Sequence, residues 1–192
     1  MNKLYVALLA GIIGASGTTV YASEVDNTTG YIGLSYGTLK QQNKFFEGKG
    51  STETDKLFVR LGGDLNEYFS SELRLGFTVD NKEGKSAYAF DDVSKGEKIK
   101  FTHEFMVSGL LRAGLPLGSL IKPYVLVGYT LERERLSYSG GSKNGNIHDI
   151  SYGAGIDLRV SKHVVLNGEW IQYDDKSGSR LKGPSFGIAA RF

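Results

Sequence analysis

Cysteine is absent from the 192-residue chain, which excludes disulfide staples and thiolate metal sites. Histidine occurs only three times, in no metal-ligand spacing, and tryptophan once. Charge of one sign is also missing. With 23 cationic and 21 anionic side chains the net charge is +2, which argues against a nucleic-acid partner. After residue 22 no apolar run approaches the length of a membrane-spanning helix, and no 3.6-residue periodicity appears. Glycine (26), tyrosine (11) and phenylalanine (10) are abundant instead, against three prolines. An all-β fold is what remains.

The chain opens with "MNKLYVALLAGIIGASGTTVYA". Lys3 supplies a positive start, and the run from Leu4 to Ile13 is about ten residues, the length of a secretory h-region but half a bilayer span. Val20 and Ala22 stand at the −3 and −1 positions of a small-residue cleavage site. Residues 1–22 are therefore expected to be a cleaved signal peptide, leaving one domain over 23–192.

Eight segments of that domain alternate apolar and polar residues, the two-residue period of a strand with unlike faces. "GYIGLSYGTL" sets Ile32, Leu34 and Tyr36 against Gly33, Ser35 and Gly37. "DKLFVRLGGDL" sets Leu57, Val59 and Leu61 against Lys56, Arg60 and Asp64. "PYVLVGYTLERE" sets Val125, Val127, Tyr129 and Leu131 against Gly128, Thr130 and Glu132. "VVLNGEWIQYD" is the least clean, with Leu166 and Trp170 against Asn167 and Glu169. Long polar stretches at 40–54, 81–98, 138–146 and 175–182 alternate with short links near 66–67, 116–122 and 161–163. Long on one side and short on the other predicts an eight-stranded antiparallel up-and-down transmembrane β-barrel, its long loops extracellular and its turns periplasmic. "GGSKNG" reads as a loop tip.

The charged parity is also rich in glycine and serine, as the narrow lumen of eight strands requires, and the aromatic parity would face lipid. The expected lumen holds Arg60, Arg74, Arg112, Arg159 and Arg191 with Asp64, Glu72, Glu104, Glu132, Asp157 and Glu169. Buried charges need partners, so a packed salt-bridge plug is preferred to a conducting path. A turn at Leu65, Asn66 and Glu67 would set Arg60 opposite Glu72, and a shift by two would set it opposite Arg74. Charge favours the first register.

"YIGLSYG", "PYVLVGYTLER", "SYGAGIDLRVSKHVVLNGEW" and the terminal "PSFGIAARF" resemble the small eight-stranded outer-membrane barrels, the group of the OmpA transmembrane domain, OmpX and the opacity proteins. The resemblance covers the whole mature length. It implies an integral outer-membrane protein without cofactor, monomeric, acting in surface interaction, adhesion or envelope integrity. It further implies that Phe186, Ile188, Ala190 and Phe192 form the signal read by the outer-membrane assembly machinery. The periplasmic peptidoglycan-binding domain of larger relatives is not expected here.

Some small barrels edit lipid A, so catalytic constellations deserve a test. His163 follows Ser161 but lies in a predicted periplasmic turn. His103 lies on the lipid parity, and Ser151 would face away from His148. No enzyme is expected, and a narrow porin-like channel is the alternative to a closed anchor. Arg133, Arg135 and Lys182 take the outward parity near the outer rim, where guanidinium and ammonium groups suit lipopolysaccharide phosphates. Phe45 and Phe46 in the first loop, and Tyr88 and Phe90 in the second, are candidate anchors for a host-surface or cell-surface ligand.

Overall fold

The computed structural model describes residues 30–43, 51–81, 84–85, 98–138, 141–176 and 179–192. Eight long strands follow one another: β1 (Gly30–Asn43), β2 (Ser51–Asp64), β3 (Phe69–Asn81), β4 (Lys98–Gly114), β5 (Ile121–Tyr138), β6 (Gly141–Arg159), β7 (Val164–Lys176) and β8 (Ser179–Arg191). A two-residue strand at Gly84–Lys85 adds a short ladder to the start of β4. Each strand pairs antiparallel with the next, and β1 closes on β8 through Tyr31↔Arg191 to Asn43↔Ser179. The result is a closed barrel with no free edge along its wall.

Side-chain alternation builds the wall. On β1, Tyr31, Ser35, Leu39 and Gln41 are buried while Ile32, Leu34 and Tyr36 stand about half exposed. The pattern is inverted relative to a protein surrounded by water: lysine, arginine and glutamate are enclosed, and leucine, valine and phenylalanine are displayed all around. Such a continuous apolar girdle needs a hydrocarbon solvent. No described helix is long and apolar enough to cross a membrane, so the crossing belongs to the strands.

Three expectations change here. The stretches 138–146 and 175–182 are mostly strand rather than long loops, since strands run up to Tyr138 and Lys176 and resume at Gly141 and Ser179. Correspondingly, the "GGSKNG" segment is not a loop tip: Gly141 to Asn146 pair with Tyr138 to Arg133. Both faces of a hairpin projecting beyond lipid meet water, so its sequence loses the two-residue apolar period. The β2–β3 register also takes the second alternative, with Arg60↔Arg74 and Gly62↔Glu72. The turn itself explains this. Asn66 Oδ1 accepts the Tyr68 and Phe69 N–H groups at 2.8 Å each, holding a four-residue link at 65–68.

Candidate functional site

The register brings two arginines face to face, and one carboxylate resolves their repulsion. Glu72 reaches diagonally to Arg60, whose Nε and Nη2 donate to it at 3.1 and 2.7 Å, and also accepts from Arg74. Tyr31 Oη donates to the same carboxylate at 2.5 Å, and Arg112 lies 3.7 Å away. Glu169 takes the other side of Arg74 and accepts from Tyr124 Oη at 2.9 Å and Ser185 Oγ at 3.0 Å. Arg112 also donates to Asp157 at 2.7 Å and stacks 3.7 Å over the Tyr124 ring. Arg60, Glu72, Arg74, Arg112, Asp157 and Glu169 thus form one connected network.

Other members of the expected lumen set separate from it. Asp64 pairs with Arg191 near the short-turn end, where both are partly exposed. Lys56 and Glu132, both buried, meet at 2.5 Å. Arg159 does not enter the lumen: it is exposed at the last residue of β6, beyond the depth at which opposite strands enclose a side chain. Glu104 sits at the irregularity between His103 and Phe105, and its side chain lies outside the described residues.

The aromatic parity also needs correction. Tyr31, Phe58, Tyr124 and Tyr173 point inward. Phe58 and Tyr173 stack at 5.5 Å, and Tyr173 Oη receives Arg74 at 2.9 Å. Around them Leu39, Met106, Leu110, Leu126, Ile171 and Leu181 form an apolar cluster inside the barrel. Charge patterning did not reveal it. The available signal was the mixed parity of "VVLNGEWIQYD", in which Ile171 and Tyr173 share a face with Glu169. A charge network and an apolar cluster thus share the barrel interior, with Tyr124 belonging to both.

On the outside, Arg133 and Arg135 are exposed on β5, opposite Asn146 and Asn144 of β6. Lys182 faces outward on β8, opposite Lys40, with its ammonium 5.7 Å from the Trp170 ring. β6 and β7 intervene, so these three cations make two sites rather than one. The loop residues Phe45, Phe46, Tyr88 and Phe90 lie outside the described residues. Of the histidines, His148 is exposed beside Tyr129, while Ser151 is turned inward and bonded to Thr130. His163 is exposed in the turn 160–163, and the His103 side chain is outside the described residues.

At the closure, Phe192 and Gly30 exchange backbone hydrogen bonds at 3.0 and 3.1 Å. Phe186, Ile188 and Phe192 stand 72, 51 and 68% exposed on the outer wall, with Ala190 between the last two. The alternation read at the chain terminus is a row of outward side chains beside the seam.

The family described as the outer membrane protein β-barrel domain matches residues 6–192. No curated protein matches the chain. Among solved structures, Neisserial surface protein A (NspA) aligns with a TM-score of 0.61 at 14% identity, covering 85% of this chain and 97% of that one. The attachment invasion locus protein Ail of Yersinia pestis, crystallised in complex with the heparin analogue sucrose octasulfate, aligns at 0.55 and 14%, covering 86 and 99%. The N-terminal β-barrel domain of Pseudomonas aeruginosa OprF aligns at 0.52 and 14%, covering 83 and 97%. At these identities the likeness carries the fold.

Proposed function

The chain belongs to the outer membrane protein β-barrel family and is an integral outer-membrane protein; from that premise we propose that it is a closed, monomeric, non-catalytic anchor displaying surface loops for adhesion. The observation that carries the reading is the filled interior, in which the Glu72 network and the Phe58–Tyr173 cluster leave rigidity as the barrel's contribution. A narrow porin-like channel draws no support from such a lumen. Strands of 18 and 19 residues in β5 and β6 exceed the roughly ten that a tilted span requires, so their hairpin projects well past the lipid. On this reading the end of the barrel that carries the β5–β6 hairpin tip is extracellular and the turns at 65–68, 115–120 and 160–163 are periplasmic. Residues 1–22 are removed on export, and Phe186, Ile188, Ala190 and Phe192 address the chain to the assembly machinery.

Cells displaying the protein are expected to bind host matrix or epithelial cells. The binding should disappear when the connections containing Phe45, Phe46, Tyr88 and Phe90 are shortened at matched surface expression. Equal binding by both forms would overturn the reading.

Arg133 and Arg135 supply a second contact, with the phosphates of lipopolysaccharide just outside the bilayer. The double variant R133Q/R135Q is expected to co-purify with several-fold less lipopolysaccharide. Lys182→Gln, on a separate face, should act additively with it. Unchanged lipopolysaccharide in the double variant would remove this contact. Because Ail was crystallised with a heparin analogue, heparin is the natural second probe for the same pair of arginines.

A further inference from the structure

One of the three turns at the short-turn end is built of leucine. Leu115, Leu117 and Leu120 are 57, 54 and 60% exposed, and Val160 in the adjoining turn is 53% exposed. Turns that face water are ordinarily polar; the link at 65–68 is mixed, with Asn66 and Glu67 exposed at its tip between Leu65 and Tyr68. The stretch 115–121 instead reads "LPLGSLI", with Ser119 its sole polar side chain. Gly118 makes the bend at a φ of 69°, a left-handed conformation that favours glycine.

The backbone of this turn is tied down. Leu115 N–H donates to Pro123 O at 2.9 Å and Leu117 N–H to Ile121 O at 2.8 Å. Arg159 N–H donates to Leu120 O at 2.8 Å, which sutures the leucine turn to its neighbour, and Pro116 has no N–H to satisfy. Such bonds meet part of what a nonpolar solvent demands of a backbone, at Leu115, Leu117 and Leu120. The apolar surface then runs without interruption into the outward side chains Leu111, Val125, Ile156 and Leu158 of the barrel wall. At its edge Arg159, Lys162 and His163 are exposed.

We propose that the leucine turn and Val160 are immersed in the acyl region of the adjoining leaflet, and that Lys162 engages phospholipid phosphate there. The leaflet is the periplasmic one on the orientation proposed above. Long cationic side chains reach from an apolar surface to the headgroups, which makes Lys162 the interfacial anchor. The occupant is lipid because the turn continues the lipid-facing wall and the neighbouring Lys162 complements phosphate.

The test uses the whole barrel refolded into phosphatidylethanolamine–phosphatidylglycerol vesicles. With the single native tryptophan removed by W170F, Leu117→Trp places one reporter on the turn. Blue-shifted emission is expected, quenched by bromine on the acyl chains and several-fold less by acrylamide than a reporter at Lys162→Trp. Red-shifted emission, quenched by acrylamide and untouched by brominated lipid, would overturn the proposal and point to a periplasmic protein as occupant. A Leu120→Cys variant of this cysteine-free chain gives an independent reading should the tryptophan variant not insert. Protection from a membrane-impermeant maleimide in open membranes supports immersion, and full labelling overturns it. Bromine reports immersion in either leaflet, so a wrong orientation does not imitate failure. Labelling of Lys162→Cys in intact cells tests orientation separately.

Discussion

Glu72→Ala is expected to destabilise the folded barrel by about 3–5 kcal/mol, more than any other single truncation in the lumen. The measurement is the urea midpoint in detergent micelles, followed by the mobility difference between folded and heated protein. Glu72 is 1% exposed and holds Arg60, Arg74 and Tyr31 by hydrogen bonds, with Arg112 at 3.7 Å. Both hydrogen bonds of the Arg60 guanidinium end on it. Truncation leaves buried positive charge without its counter-ion, and the desolvation already spent on those arginines is no longer offset. Arg74 keeps Glu169 and Arg112 keeps Asp157, so Arg60 is the group that suffers. Adding Arg60→Ala to Glu72→Ala should therefore recover part of the loss, a coupling that a double-mutant cycle reads directly. Asp64→Asn breaks the partly exposed pair with Arg191 and should cost about 1 kcal/mol or less. A Glu72→Ala effect no larger than that of Asp64→Asn would show that water reaches the network and screens it.

The same network shows how far the sequence could be read. Strand number, the parity of each wall and the identity of most lumen charges followed from a two-residue period, because lipid and lumen impose opposite demands on alternate positions. Register did not follow. Setting Arg60 opposite Glu72 looked better on charge, yet the structure sets two arginines opposite each other and lets Glu72 bridge them diagonally. Long side chains in a narrow lumen choose partners across the barrel as readily as along the ladder, as Arg74 does with Glu169 and Tyr173. Charge complementarity between adjacent strands is thus a weak constraint here. The inward aromatics were missed for a related reason. Tyr31 and Tyr124 present hydroxyls to carboxylates and behave in the lumen as polar groups with a large apolar body. Arg159 erred in the other direction, since parity fixes a face but not the depth at which the lumen ends.

Glycine on the inward face is the second feature whose loss should be severe. Gly128→Val is expected to prevent formation of the heat-modifiable folded band, and Gly128→Ala to lower stability by about 1–3 kcal/mol. A Cβ at Gly128 would sit 2.0 Å from Gly109 O and 2.8 Å from Leu110 Cα, both backbone atoms of the paired strand. No rotamer change relieves that contact; β4 and β5 must separate where their ladder runs through Leu110↔Gly128. Gly153 and Gly183 face the same obstacle, at 2.4 Å from Trp170 O and 2.3 Å from Thr38 O. Gly155 differs, because the atoms nearest its Cβ belong to the Tyr124 side chain, at 2.5 Å, which moves at the expense of its bond to Glu169. A Cβ at Gly145, in the projecting part of β6, would meet no atom within 4 Å beyond its own chain neighbours. Gly145→Ala should be neutral or stabilise by up to about 1 kcal/mol through the unfolded state. The expected order of cost for alanine is therefore 128, then 155, then 145, with refolding yield and urea midpoint moving together. Tolerance of alanine at 128 alongside loss at 145 would mean that the strands coil differently from the arrangement described. Close packing at the inward glycines is thus what lets eight strands enclose three guanidiniums and two stacked rings within one narrow lumen.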